Sequence, residues 1–155
     1  MRYVFDTNVL VHQLRNTPTW QFIAATYEPF AEDVETYLSF ASVAEILSMA
    51  EQANWGKSKQ NQLLEAINEF EIVAVSGDVG DALVQAYVQI DSFSQGKNSK
   101  LPLPIGTSAR NMGKNDIWVA ATAYALDAKL MTTDKDFLHL DPTLLEVVFV
   151  HIQPH

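Results

Sequence analysis

The sequence predicts an α/β layer fold with a mostly parallel central sheet, built as one domain over residues 1–155. Three observations carry this prediction. Short stretches such as "RYVF", "TYLSF" and "AKLMTT" have strand composition, and helix-length runs separate them, which is the order a parallel sheet requires. A chain of 155 residues suits one domain with a substantial core, and neither an internal repeat nor a convincing second domain is visible. The 48% apolar and 19% charged residues are those of a globular chain rather than a disordered one.

The elements follow in order. "RYVF" reads as a short buried strand before Asp6, and "TNVLVHQL" starts a helix directly after it. A second helix begins at Thr17 or Pro18, in "PTWQFIAATY". "TYLSF" is a strand of β-branched and aromatic residues, and the helix "SVAEILSMAEQA" follows. There Ser42 and Glu45 have the spacing of a capping box, with Ser42 as the cap. "KQNQLLEAINEF" gives another helix, "EIVAV" a strand, and Ser76 to about Phe93 a long helix. A Gly/Ser/Pro-rich insert occupies about 96–114, and the nearly apolar helix "NDIWVAATA" follows, with Asn115 the better candidate for its cap. "AKLMTT" is a strand, "DKDFLHL" a short turn or helix, and "LEVVFV" the last strand.

Composition excludes several chemistries. The absence of cysteine removes disulfides, thiol catalysis and thiolate metal sites. No apolar run approaches the roughly 20 residues of a membrane span. "MRYVFDTN" is too short and too acidic for a signal peptide, so the expected location is the cytoplasm, without a membrane partner. The net charge of -9 argues against a broad nucleic-acid-binding surface, because phosphate contacts need cations. The distribution is uneven, however. The insert holds Lys97, Lys100, Arg110 and Lys114 and no acid, whereas "EPFAEDVE" carries four acids and no base. The insert is therefore either a set of RNA-binding candidates or a solvated loop.

Four acids form the main constellation. Asp6 and Asp134 each follow a predicted strand, and ligand sites in open α/β sheets lie beyond the carboxyl ends of the strands. Glu45 and Asp116 are expected in the first turns of helices facing the same rim. Each acid alone reads equally as a cap, but a cap needs only a short polar acceptor, and here a formal negative charge recurs. Converging carboxylates repel one another, and a hard divalent cation offsets that repulsion. Mg²⁺ takes oxygen ligands, keeps waters and bridges carboxylates to phosphate oxygens.

Four stretches, "VFDTNVLV", "SVAEIL", "NDIWVAATA" and "LMTTDKDF", resemble the motifs of the PIN-domain family, and within it the VapC-type toxin endoribonucleases. Together they cover nearly the whole chain. The resemblance implies a three-layer α/β/α sandwich and a metal-dependent RNA-cleaving site leaving 5′-phosphate and 3′-hydroxyl ends. By position it makes Asp6, Glu45, Asp116 and Asp134 the catalytic and metal-binding acids, for one or two Mg²⁺ ions with Mn²⁺ as substitute. Thr7, Asn8, Asn115 and Thr133 become the supporting polar residues. Asp136 is either an additional ligand or the partner of a nearby base. Expected partners are RNA (tRNA or another structured RNA), a cognate antitoxin protein and a second copy in a homodimer. The long insert with Pro102 and Pro104 and the low net charge depart from a compact toxin pattern.

Alternatives remain. An rRNA-processing or DNA-directed nuclease of the same fold, or a catalytically weak protein-binding module, would carry similar motifs. An aspartyl-phosphate phosphatase needs a second Asp at the position of Asn8, and a phosphoacceptor receiver a differently placed Lys. His12 is expected to pack or bond locally and His139 to lie in a surface turn. Trp118 is expected in the core, while Trp55 is a candidate for a partner surface. "SGDVGD" lacks both phosphate-loop and dinucleotide spacing.

Overall fold

A computed structural model describes residues 1–155. The chain runs β1 (Arg2–Phe5), α1 (Thr7–Leu14), α2 (Pro18–Tyr27), β2 (Glu35–Ser39), α3 (Phe40–Gln52), α4 (Lys57–Asn68), β3 (Glu71–Val73) and α5 (Gly77–Ser94). After the insert come α6 (Lys114–Ala125), β4 (Lys129–Thr132), a 3-10 helix (Lys135–Leu140) and β5 (Val147–Phe149). The five strands form one sheet in the order β3-β2-β1-β4-β5, and every pairing is parallel.

Strand alternation divides the core into two layers. In β1, Val4 faces one side while Tyr3 and Phe5 face the other; Tyr37 and Leu38 in β2, and Leu130 and Met131 in β4, divide in the same way. One layer joins Val4, Tyr37 and Leu130 to α5 and α6 through Leu83, Ile90, Phe93 and Val119. The opposite layer joins Phe5, Leu38 and Met131 to α1–α4 through Leu10, Ile23, Ile46 and Leu63. Helices thus cover both faces, giving the three-layer α/β/α sandwich. Phe5 is fully buried and meets Trp20 and Phe70 edge to face, at centroid distances of 6.2 and 5.3 Å.

Helix starts differ from the sequence expectation at two places that matter. Ser39, the last residue of β2, is the cap of α3, its Oγ accepting from the Ala41 amide at 3.2 Å. The strand passes into the helix without a loop, so the cap falls on the strand's own end. Ser42 is fully buried inside α3 instead, accepting from Thr7 Oγ1 at 3.1 Å, and the Ser42–Glu45 capping box does not form. Likewise α6 begins at Lys114 behind Gly113, with no side-chain cap bond, so Asn115 is a first-turn residue rather than the cap.

Gly80 lies near the start of α5, against the backbone of Val75 in the turn between β3 and the helix. A Cβ there would stand 2.9 Å from the Val75 carbonyl carbon. Gly→Ala in a helix ordinarily stabilises by about 1 kcal/mol, but this clash is with backbone and reverses the sign. Gly80→Ala is expected to lower the thermal midpoint; an unchanged or higher midpoint would show that α5 has room to shift.

Candidate functional site

Because all strands run in parallel, their carboxyl ends share one edge of the sheet, and the acids that follow β1 and β4, Asp6 and Asp134, arrive there by topology. The β1–β4 register aligns Phe5 with Met131, and the Asp6 amide continues the ladder by donating to the Met131 carbonyl at 3.0 Å. This puts Asp6 beside Thr132. Asp6 is 4% exposed and serves as N-cap of α1. Its Oδ1 accepts from the Thr7 amide at 2.7 Å, and its Oδ2 from Thr132 Oγ1 at 2.8 Å. Thr132 Oγ1 also accepts from the Asp134 amide at 2.9 Å. One buried hydroxyl therefore fixes the carboxylate after β1 to the backbone after β4.

Asp134 caps the 3-10 helix, its Oδ1 accepting from the Asp136 amide at 2.8 Å. Asp116 sits in the first turn of α6, half-buried, with its carboxylate 3.6 Å from where a Gly113 side chain would begin. The first turn of a helix is electrostatically favourable for an acid. Glu45 lies in the second turn of α3 and accepts from Asn115 Nδ2 at 3.2 Å, which ties α3 to α6 at the rim. Below that contact, Phe40 and Trp118 meet edge to face at 5.4 Å.

Electrostatics show that the acids share one space. Burial pushes the Asp6 carboxyl up to about 7, against its hydrogen bonds from Thr132 and Thr7, and the charges of Asp116 and Asp134 push in the same direction. Burial also raises Asp116, to about 6, with the charges of Asp134, Glu45 and Asp136 adding to it. All four acids, and Asp136, act on this centre. Its donors are all carboxylate oxygens, with no imidazole among the groups that perturb it. No three of them close into a ready-made cage. Mg²⁺ needs only one or two carboxylates and retains waters, so the donor set fits that ion.

The remaining candidates are placed unevenly. Thr7 contributes its amide to Asp6 and its hydroxyl to Ser42. Asn8 is exposed. The hydroxyl that orients Asp6 belongs to Thr132, fully buried, rather than to neighbouring Thr133. Thr132 is not among the residues expected from the sequence; the β1–β4 register sets it level with Asp6, so strand alternation puts the two side chains on the same face of the sheet. Asp136 pairs with Arg110, Oδ1 to Nη1 at 3.6 Å. Lys97 bonds Gln95 Oε1 at 2.9 Å, and the Lys100 amide bonds Asn98 Oδ1 at 3.1 Å.

Outside the rim, His139 is buried, not a surface turn residue: its Nε2 lies 2.6 Å from Ser94 Oγ at the end of α5. Burial lowers its pKa, as does the charge of Arg110. His12 Nδ1 bonds Thr17 Oγ1 locally at 2.8 Å. Trp118 stacks obliquely on Tyr87 at 4.5 Å and belongs to the helical packing. Trp55 lines a small cleft with Val11, Leu14 and Met49, under the Lys59 ammonium 4.1 Å from its ring. No helix is long and apolar enough to cross a membrane.

Comparison with known proteins agrees with this geometry. VapBC-1 from nontypeable Haemophilus influenzae superposes with a TM-score of 0.71 at 21% identity, covering 96% of this chain and 98% of that one. VapBC2 from Rickettsia felis, bound to a DNA fragment from its promoter, gives 0.66 at 19% identity, covering 95% and 98%. FitAcB from Neisseria gonorrhoeae gives 0.61 at 23% identity, covering 94% and 95%. These likenesses are of fold. Curated protein sequences give no significant match. The PIN domain profile matches residues 3–141, from the start of β1 to just beyond the 3-10 helix, and the chain therefore belongs to the PIN-domain family.

Proposed function

We propose that this chain is a Mg²⁺- or Mn²⁺-dependent endoribonuclease and the toxin of a type II toxin–antitoxin pair. One observation carries the reading: acids from elements far apart in sequence converge on one rim, where Asp116 and Asp134 oppose the ionisation of Asp6 and Asp134 and Glu45 oppose that of Asp116. A fold has no need for that repulsion unless a cation or a reacting group uses it. Asp6, Asp116, Glu45 and Asp134 would hold one or two ions. A bound divalent cation supplies charge neutralisation on the phosphodiester and a more acidic attacking water.

The residues themselves position the reaction. Thr132 and the Thr7 amide fix both oxygens of Asp6 and so hold its carboxylate in one orientation. Asn115 orients Glu45, and the Asp136 amide orients Asp134. An RNA phosphodiester bound at this rim would undergo in-line attack by water. The phosphorus–O3′ bond breaks, leaving a 5′-phosphate on one fragment and a 3′-hydroxyl on the other. The net charge of -9 leaves substrate phosphate to be held locally, by the site and by bases of the insert such as Lys114 and Arg110. Full-length likeness to VapBC complexes, and to a toxin–antitoxin complex from Klebsiella pneumoniae, supports a cognate antitoxin as partner. A homodimer and a tRNA or other structured RNA substrate belong to the same reading.

The test is a cleavage assay on tRNA, ribosomal RNA and single-stranded DNA, with Asp6→Asn and Asp116→Asn as controls. Cleavage of RNA that both substitutions abolish is expected. Cleavage confined to DNA would replace the substrate assignment, and no cleavage of any polymer would leave a binding module of this fold.

A further inference from the structure

We propose that Arg110 is a phosphate-binding residue of the rim, held ready by Asp136, and that Asp136 serves as its exchangeable partner rather than as a metal ligand. This rests on the nuclease reading above and assigns the insert a defined part in it.

The insert is anchored rather than loose. Leu101, Leu103 and Met112 pack against the α5–α6 core layer. Ser94, fully buried at the end of α5, forms the anchor point. Its carbonyl accepts from the Arg110 amide at 2.6 Å, and its hydroxyl meets both Met112 Sδ at 3.1 Å and His139 Nε2 at 2.6 Å. His139 and Asp136 lie on the same 3-10 helix. That helix therefore reaches the insert directly, through the surface pair of Arg110 with Asp136, and indirectly through Ser94 of α5, which bonds both His139 and the Arg110 amide. The backbone at Arg110 is thereby fixed, while its side chain stays 43% exposed.

The pair itself is built to exchange. A single 3.6 Å contact joins Arg110 Nη1 to Asp136 Oδ1, and the carboxylate is 74% exposed. Exposed pairs of this kind contribute little, so an incoming anion displaces the carboxylate at small cost. Guanidinium suits phosphate, because its planar fork binds two oxygens at once. The position is also right: Asp136 is near enough to act on the charge state of Asp116, and Arg110 is bound to Asp136. The Asp136 amide meanwhile fixes Asp134, so the residue orients one rim acid with its backbone and holds the arginine with its side chain. Neither Arg2, paired with Glu35, nor Lys129, paired with Glu146, contacts a rim acid.

The test measures binding of a fluorescein-labelled single-stranded RNA to the full chain in EDTA, by fluorescence anisotropy, so that turnover does not intervene. Arg110→Gln is expected to weaken binding on the order of tenfold, and Arg110→Lys to recover only part of it. Asp136→Asn is expected to tighten binding by roughly two- to fivefold, and this gain should vanish in the Arg110→Gln background. Calorimetric titration with Mn²⁺ should show Asp136→Asn unchanged. Three results would overturn the proposal: Arg110→Gln binding within twofold of the parent, an Asp136→Asn gain that survives without Arg110, or a tenfold loss of Mn²⁺ affinity in Asp136→Asn. Failure of the parent chain to bind RNA in EDTA would overturn it as well. The nuclease reading falls separately, only if cleavage is also absent once Mn²⁺ is restored.

Discussion

Asp116→Asn is expected to reduce RNA cleavage by at least about 100-fold while raising the thermal midpoint of the metal-free chain at pH 8. The two effects have one cause. Burial and the charges of Asp134, Glu45 and Asp136 raise the Asp116 carboxyl to about 6, so its ionised form is disfavoured in the folded state. Asparagine keeps the shape and removes the repulsion. Asp116 is half-buried and makes no cap bond, so the gain is about 1 kcal/mol after discounting for solvent screening. Asp6→Asn should lose activity as fully and gain less stability, because Asp6 also caps α1 and accepts from Thr132. A structural acid behaves in the opposite way: Asp116→Asn that melts lower and cleaves normally would make it a packing residue.

Saturating Mn²⁺ is expected to raise the thermal midpoint most at pH 8, and progressively less as pH falls through about 7 and 6. Asp6 at about 7 and Asp116 at about 6 both lie above the unfolded carboxyl value of 3.8. The stability they contribute is fully present below the unfolded value and is lost as pH rises through their folded values. Without a cation, the chain should therefore be more stable near pH 5.5 than near pH 8. Glu35, held below its ordinary value by Arg2 and Tyr37, acts the other way only at lower pH, outside this window, whereas His139 and His12, both lowered by burial, oppose the trend within it and reduce its size. A cation at 100 times its dissociation constant adds about 2.7 kcal/mol, and protons compete with it for the same oxygens. Differential scanning calorimetry across this range, with the Asp6→Asn/Asp116→Asn double variant as control, reads both trends. A Mn²⁺ shift that persists in the double variant would place the ion elsewhere.

The sheet was legible because its determinants are local: the strand composition of "RYVF", "TYLSF" and "AKLMTT", set between helix-length runs, is enough to assign parallel strands. The four acids were legible because parallel strands deliver their carboxyl ends to one edge whatever the details of packing. Contacts set by distant partners were not. Thr132, rather than Thr133, orients Asp6 because the β1–β4 register fixes which hydroxyl lies level with it on the same face, and register is a property of two strands. His139 is buried because the end of α5, 45 residues earlier, supplies Ser94. Asn115 serves Glu45 across 70 residues instead of capping its own helix. The capping box at Ser42 failed for a nearer reason, since β2 runs into α3 without a loop and Ser39 takes the cap.

On the proposed function, the carboxylates around Asp6 and Asp116 act on RNA through a divalent cation. The most direct measurement is the initial rate of RNA cleavage by the chain after exhaustive EDTA treatment and dialysis, with Mn²⁺ then titrated back. No cleavage is expected in the chelated sample, with a saturable return of activity on adding Mn²⁺ that is absent in Asp116→Asn. Undiminished cleavage in the thoroughly chelated sample would contradict the proposed function.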